Sequence, residues 1–279
     1  MDKEPIPAVR VNANGQTSLY WKELWQYRDL LYILSWRDLK VRYKQTLLGA
    51  AWAIIRPLLS MLIFTFIFGQ VAGLDKDATV AYPLLVMAGV LAWQLTASSI
   101  SGGAAALVAN ERLLTKVYFP RVIIPLSALA TCLLDFLIAF SLQLLLFGYY
   151  SQWPAWSIVL LPFWVMINLF FTLGLGLGLG AMNVRYRDFR YALPFILQLG
   201  MFLSPVGFST RSIPERWQWL YELNPVVGLI ESFRWCLLEG TLDQFPTHSF
   251  LITVVWSLVI FILGFRYFRK MENTLADII

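Results

Sequence analysis

The sequence predicts an all-α integral membrane protein with six transmembrane helices and both termini in the cytoplasm. Three observations carry that prediction. Hydrophobic residues make up 58% of the chain and charged residues 14%, with a mean hydropathy of +0.63, whereas soluble chains average about 45–50% apolar and about 25% charged. Uncharged apolar stretches recur at the ~20-residue length a helix needs to cross the hydrocarbon. The Lys and Arg residues fall in blocks on alternate loops. The same composition excludes disorder, a coiled coil and a disulfide scaffold. With one histidine, His248, and two cysteines, Cys132 and Cys236, a metal site built on His and Cys has almost no raw material, so none is predicted.

Residues 1–46 read as a cytoplasmic N-terminal region. Its first 18 residues are polar, without the apolar core of a cleavable secretory signal. In the rest, Lys22, Gln26, Asp29, Arg37, Lys40 and Lys44 share one helical stripe, interrupted at Ile33, and Leu24, Tyr27, Leu31 and Leu34 share another. That pattern predicts an amphipathic helix on the cytoplasmic membrane surface, serving either as an anchor or as a partner-binding element. The transmembrane domain then covers residues 47–270, with spans at about 47–74, 80–103, 122–147, 157–183, 191–210 and 246–265, and residues 271–279 form a cytoplasmic tail. The uncharged run from Phe136 to Val184 must be divided, and Gly148-Tyr-Tyr-Ser-Gln-Trp-Pro154 supplies the turn chemistry.

Orientation follows from the basic residues. Eighteen of the 22 Lys and Arg lie before residue 57, in the loops after spans two and four, or after span six; only Lys76, Arg211, Arg216 and Arg234 fall on the other side. Short cytoplasmic loops are enriched in Lys and Arg. The net charge of +5 is therefore topology and needs no nucleic-acid partner.

Four features go beyond plain spans. The loop Asn110–Pro120 mixes charge with Leu113, Leu114, Val117, Tyr118 and Phe119 on the wet side; apolar groups rimmed by charge point to a protein contact or to packing on headgroups. Between spans five and six, about forty residues hold Pro205, Pro214, Asn224-Pro225 and the short apolar stretch Val226–Ile230. These predict either re-entrant half-helices, tolerated only where protein-buried or lining a cavity, or an exposed loop. There Glu231 and Arg234, three apart, can pair on one helical face. Gly174, Gly176, Gly178 and Gly180 place two small faces on span four for close helix packing. Asp135 is the one acid well inside a span, where an intramembrane carboxylate is expensive; proton coupling, a structural pair and a wet-pathway lining are all open to it.

The order of these residues is similar to a known family. Trp36-Arg-Asp-Leu-Lys-Val-Arg-Tyr-Lys-Gln-Thr-Leu-Leu-Gly49 followed by Trp52-Ala-Ile-Ile-Arg-Pro57, then Asn110, Leu113, Lys116 and Phe119-Pro120, Arg187-Asp188, Ser204-Pro205, Asn224-Pro225 and Arg234 together resemble ABC-2-type export permeases, in particular those of polysaccharide exporters for O-antigen, teichoic acid or capsule. The resemblance implies a homodimer in the bacterial cytoplasmic (inner) membrane, working with two copies of a cytoplasmic ABC ATPase that binds the ATP and Mg, and moving a lipid-linked polysaccharide. It implies an ATPase-contacting coupling helix with Asn110, Glu111, Leu113, Leu114, Lys116, Tyr118 and Phe119. It also implies an interface helix carrying Trp36, Arg37, Lys40, Arg42 and Tyr43, and a gate with Asn224, Glu231 and Arg234. Trp52, Trp93 and Trp164 are candidates to line a sugar path, against the alternative of membrane-interface belts. The 279 residues contain no G-x-x-x-x-G-K-S/T, so no phosphate loop is predicted in this chain. It is expected to be a transport subunit and not an enzyme, with no cofactor of its own.

Rival classes lack material. A proton-coupled secondary transporter would need several embedded acids or histidines and an internal repeat. A membrane-embedded glycosyltransferase or acyltransferase would need convergent acids or histidines on a wet face, where the cytoplasmic loops offer mainly Glu111 and Asp188. An ABC-2 exporter of a drug or simple lipid is the nearest alternative.

Overall fold

A computed structural model describes residues 17–44, 51–76, 80–186, 188–241, 243 and 245–278. Gln45–Gly49 and Arg187 of the motifs quoted above, with the predicted start of the first span, lie outside the described residues. Among the described residues every regular element is helical: α1 (Thr17–Gln26), α2 (Arg28–Lys44), α3 (Ala51–Phe64, continued by a π turn to Val71), α4 (Tyr82–Ala109), α5 (Glu111–Leu114), α6 (Ile123–Tyr149), α7 (Leu161–Arg185, after a 3₁₀ turn from Trp156), α8 (Phe189–Phe202), α9 (Glu215–Glu222), α10 (Pro225–Arg234, continued by a π turn to Glu239) and α11 (Thr247–Ile278).

Among the described residues, five helices are long and apolar enough to cross a membrane: Ala51–Val71, Tyr82–Ala109, Ile123–Tyr149, Trp156–Arg185 and Thr247–Glu272. Each overlaps one of five predicted spans, with Tyr82–Ala109 and Thr247–Glu272 running six and seven residues past the predicted ends at 103 and 265. The stretch predicted as the fifth span, 191–210, is different. It gives α8, only 14 residues long, about 21 Å at 1.5 Å per residue, and the chain then turns through Leu203–Pro205. The turn has a local cause, because Pro205 has no N–H to continue the ladder and disfavours helical geometry at Ser204.

Helix α4 is the hub of the bundle. Most of its surface is covered, whereas α3, α7 and α11 leave broad apolar faces open. The glycines of α7 serve two neighbours. A Cβ on Gly174 would lie 2.5 Å from Phe261 Cα of α11, and one on Gly264 would collide with the Gly174 carbonyl. On the other face, a Cβ on Gly176 would lie 3.2 Å from Gly103 Cα of α4, and one on Gly180 would lie 3.2 Å from the Gly103 carbonyl oxygen. The small residues thus set how closely α7 approaches each helix.

The turn predicted at 148–154 is present, with Ser151 at φ 52° and the Gln152 side chain accepting from the Ala81 amide at 3.2 Å. At the end carrying the N-terminal helices and the far end of α11, Tyr20, Leu34, Leu114, Phe119, Ile123 and Phe268 form a second apolar cluster. Glu272 closes it, accepting from the Arg121 amide at 3.2 Å and from Arg269 at 2.6 Å, while the Arg269 guanidinium sits 3.9 Å above the Tyr20 ring. Burial, reinforced by the Glu272 carboxylate, pushes the Tyr20 phenol above its ordinary value.

Candidate functional site

The amphipathic reading of residues 19–46 fits the exposure pattern. Lys22, Gln26, Asp29, Arg37, Lys40 and Lys44 are exposed and Leu34 is buried, with Leu24, Tyr27 and Leu31 packed beside it. The segment is two helices divided at Tyr27, and α2 packs along α6. Polar bonds mark its course. Arg37 donates to Asn110 Oδ1 at 2.6 Å and to Asp38 Oδ1 at 2.7 Å, Ser127 of α6 reaches Asp38 at 3.5 Å, and Arg42 pairs with Asp135 Oδ2 at 2.5 Å. The Tyr43 hydroxyl donates to Asp135 Oδ1. Burial, followed by that hydrogen bond, raises the Tyr43 phenol above its usual range. Trp36 and Lys40 occupy the outer side of α2, with the ammonium 5.4 Å from the indole centroid. Asp135 is therefore no isolated acid: both carboxylate oxygens are engaged by α2.

Beside this pair a half-open cavity of about 440 Å³ lies among α2, α3, α4, α6 and α8. Arg42, Tyr43 and Asp135 form one wall; Trp52 and Arg56 of α3 and Trp93 and Gln94 of α4 form others. The Arg56 guanidinium lies 6.0 Å from the Trp52 ring. Two of the three tryptophans predicted for a sugar path are thus brought together here. Trp164 is not. It is only 2% exposed, its ring stands 4.5 Å from Phe233, and its N–H donates to the Leu229 carbonyl at 2.7 Å. It joins α7 to α10 inside the chain and is not brought to this cavity, its N–H satisfied by buried backbone.

The predicted coupling segment is short, a single turn of helix at α5 followed by turns to Pro120. Asn110 bridges, donating to the Ala106 carbonyl at 3.0 Å while accepting from Arg37. Leu114 (6% exposed) and Phe119 (3%) point inward to the apolar cluster. They hold the segment down and sit beneath its outward face, away from the side on which a contact was expected. Glu111, Lys116, Val117 and Tyr118 are exposed and Leu113 is partly so, so Val117 joins Tyr118 as the apolar part of the outward face.

In the segment between α8 and α11, Asn224 caps α10, its side chain accepting from the Val226 amide at 3.0 Å with Pro225 in the first turn. α10 is buried on most sides and is not an exposed loop. Glu231 and Arg234 pair at 3.4 Å, yet each has closer partners. Glu231 accepts from Thr210 N at 3.0 Å and Thr210 Oγ1 at 2.7 Å. Arg234, 3% exposed, donates to the Val206 and Phe208 carbonyls at 2.7 Å and to Leu85 O at 3.2 Å. The guanidinium fastens the 203–208 turn to α4. Nothing in the residue pattern announces that role, since its acceptors are backbone carbonyls. Space is tight there as well: a Cβ on Gly89 would meet the Val206 carbonyl.

Comparison with known proteins places this geometry in context. A family model described as ABC-2 type transporter matches residues 29–238. The chain is 36% identical over 225 residues to the O-antigen export system permease protein RfbA of Myxococcus xanthus, covering 80% of this chain and 85% of that protein. It is 29% identical to an RfbA of Klebsiella pneumoniae, over 90% and 95% of the respective chains. It is also 25% identical to the polysialic acid transport protein KpsM of Escherichia coli, over 86% and 92%.

Proposed function

The chain belongs to the ABC-2 type transporter family, and from that premise we propose that it is the permease subunit of an exporter that moves a lipid-linked, O-antigen-like polysaccharide across the bacterial cytoplasmic membrane. The observation that carries this is the similarity to O-antigen export permeases along nearly the whole of both chains. KpsM favours a capsule-type glycan as the second cargo. In this reading the working unit is a homodimer with two ATPase subunits that bind the ATP and Mg. The termini are cytoplasmic, α8 is a short sixth membrane helix, and α9 and α10 are re-entrant elements guarding the outer mouth. Asn224, Glu231 and Arg234 hold that gate in place. The ATPase meets the outward face of the coupling segment, Glu111, Lys116, Val117 and Tyr118, beside Trp36 and Lys40 of α2. Lipid-linked glycan engages the cavity that Trp52 and Trp93 line; flat indole faces let a sugar chain slide without tight hydrogen bonds.

The test is genetic and biochemical. Depleting the chain should remove the glycan from the cell surface and accumulate the same glycan inside, and co-expression with its neighbouring ATPase should restore export. The purified chain alone should hydrolyse no ATP. Normal surface glycan after complete depletion, or hydrolysis by the isolated chain, refutes the assignment.

A further inference from the structure

Among the charged side chains that line the cavity there are two guanidiniums, Arg42 and Arg56, and one carboxylate, Asp135, an excess of one positive charge. Asp135 is satisfied by Arg42 at 2.5 Å and by the Tyr43 hydroxyl. Arg56 has no carboxylate partner among the described residues; its neighbour is the Trp52 ring. It stands in the first long apolar helix, where a cation is costly and is retained facing a partner or a wet pathway. A guanidinium fork matches phosphate oxygens two at a time. The Arg42–Asp135 pair, with Tyr43 on the second carboxylate oxygen, shows that this wall already holds an oxyanion, one oxygen to the guanidinium and one to the phenol. The remaining lining is mostly apolar, with Leu91, Phe136 and Met201 beside the polar Gln94 and Ser98, and 440 Å³ falls within the roughly 300–1,000 Å³ of small-molecule sites.

We propose that this cavity binds the terminal phosphate or diphosphate of a lipid, with Arg56 and Arg42 as its cationic arms and Asp135 as an internal anion that holds Arg42 until the phosphate displaces it. The inference rests on the exporter reading, since it names the part of a lipid-linked cargo that would be recognised first. The apolar walls and the position of Arg56 in a membrane helix favour a lipid-borne phosphate over a free one. The arrangement makes an unusual demand on Asp135. Neutralising it releases Arg42 and raises the excess positive charge of the lining from one to two, so the site should bind an anion more tightly, whereas a purely structural acid would lose binding with its fold.

The full chain, Arg56→Gln and Asp135→Asn would be reconstituted in phosphatidylcholine nanodiscs containing either phosphatidic acid, with its terminal phosphate, or phosphatidylglycerol, a phosphodiester. Lipid retained by the protein is read by native mass spectrometry, with melting curves as the folding control. The wild type should enrich phosphatidic acid over phosphatidylglycerol by about tenfold, the scale of one charge-assisted contact. Arg56→Gln should abolish that preference and Asp135→Asn should increase it several-fold. Equal retention by wild type and Arg56→Gln overturns the site, as does weaker retention by an Asp135→Asn protein that melts normally. If Asp135→Asn fails to fold, Arg56→Gln decides alone. Displacement of phosphatidic acid by millimolar inorganic pyrophosphate would assign the site to a free anion and overturn the lipid assignment. A surface-glycan assay run in parallel separates the two readings: export without phosphatidic acid selectivity sinks the site, and selectivity without export of any glycan sinks the exporter.

Discussion

Replacing Arg234 with alanine removes a buried guanidinium from three backbone carbonyls and one carboxylate. The Val206 and Phe208 contacts, at 2.7 Å, are short and charge-assisted; Leu85 O at 3.2 Å and Glu231 at 3.4 Å are longer. Charge-assisted bonds contribute about 1.5–3 kcal/mol each, but they share one cation and do not add. Glu231 keeps its two bonds from Thr210, so the main loss is the stranding of the Val206 and Phe208 acceptors. Removing one partner from such a buried cluster costs about 3–5 kcal/mol, which for a chain of this size lowers the apparent melting midpoint by roughly 10 °C. Thermal melting of detergent-solubilised protein by size exclusion measures it. Arg234→Lys should recover part of the loss, because an ammonium keeps the charge without the planar fork. Arg216→Ala should be nearly silent: Arg216 is exposed beside the Trp217 ring, where contacts are worth about 0–1 kcal/mol. The double-mutant coupling between Glu231 and Arg234 should be small, under about 1 kcal/mol. A midpoint for Arg234→Ala within about 2 °C of wild type, or a large Glu231–Arg234 coupling, would show that the ion pair and not the carbonyl cluster holds the turn.

Three further outcomes follow from positions established above. Val117→Asp and Tyr118→Asp, on the outward face, should leave the protein folded and abolish co-purification of the ATPase, whereas Leu114→Asp should destabilise the chain itself by several kcal/mol because it buries a carboxylate; the reverse pattern would restore Leu114 as the contact. Gly174→Leu should part α7 from α11 at a cost of about 1–3 kcal/mol, read as a lower melting midpoint, and an unchanged midpoint would mean the two helices have room to spare. Trp52→Ala should reduce surface glycan in cells while leaving the melting midpoint near wild type, and Trp164→Ala should destabilise the fold by about 3–5 kcal/mol, read as a lower midpoint; equal midpoints in the two variants refute the division between cavity and core.

What the sequence reveals here depends on polarity contrast. Outside the long apolar helices the contrast is stronger: Lys22, Gln26, Asp29, Arg37, Lys40 and Lys44 are exposed and Leu34 is buried, although Trp25, Tyr32, Ile33 and Val41 are exposed as well. The glycines of α7 are legible for a different reason, since a face without side chains has few uses in an apolar helix except close approach. Within the apolar helices the contrast vanishes. Lipid and protein core are equally apolar, so nothing in the residue pattern separates the covered α4 from the open α3, or the buried Trp164 from the exposed Trp52. Leu114 and Phe119 mislead because a charged loop makes its apolar residues look presented when they are tucked under. Asp135 was visible as an anomaly, but its partners come from a helix more than ninety residues earlier, a pairing that only the fold supplies. The shortness of α8 was signalled by Ser204-Pro205, and hydropathy alone ran past it.

On the proposed function, the bonds of α2 also decide how a push by the ATPase on the segment Asn110–Pro120 would reach the cavity. Two connections run from that segment toward α6: the Arg37–Asn110 bond through α2, and the apolar cluster in which Leu114, Phe119 and Ile123 meet Leu34. Arg37–Asn110 is exposed and joins a cation to a neutral amide, worth about 1 kcal/mol or less in water. At the other end of α2, Arg42–Asp135 joins opposite charges and is backed by Tyr43, and the helix between the two packs along α6. Under load the Arg37 bond breaks first and α2 stays with α6. The apolar cluster cannot yield so cheaply, because separating Leu114 and Phe119 from their neighbours exposes about 1.5–3 kcal/mol of burial for each side chain. Movement of the segment must therefore pass through Leu114, Phe119 and the short link to Ile123 into α6 itself, carrying Asp135 and the cavity wall with it. If the proposed function holds, Leu114 and Phe119 would act in coupling from the inside, as the buried wedge that joins the loop to the helix.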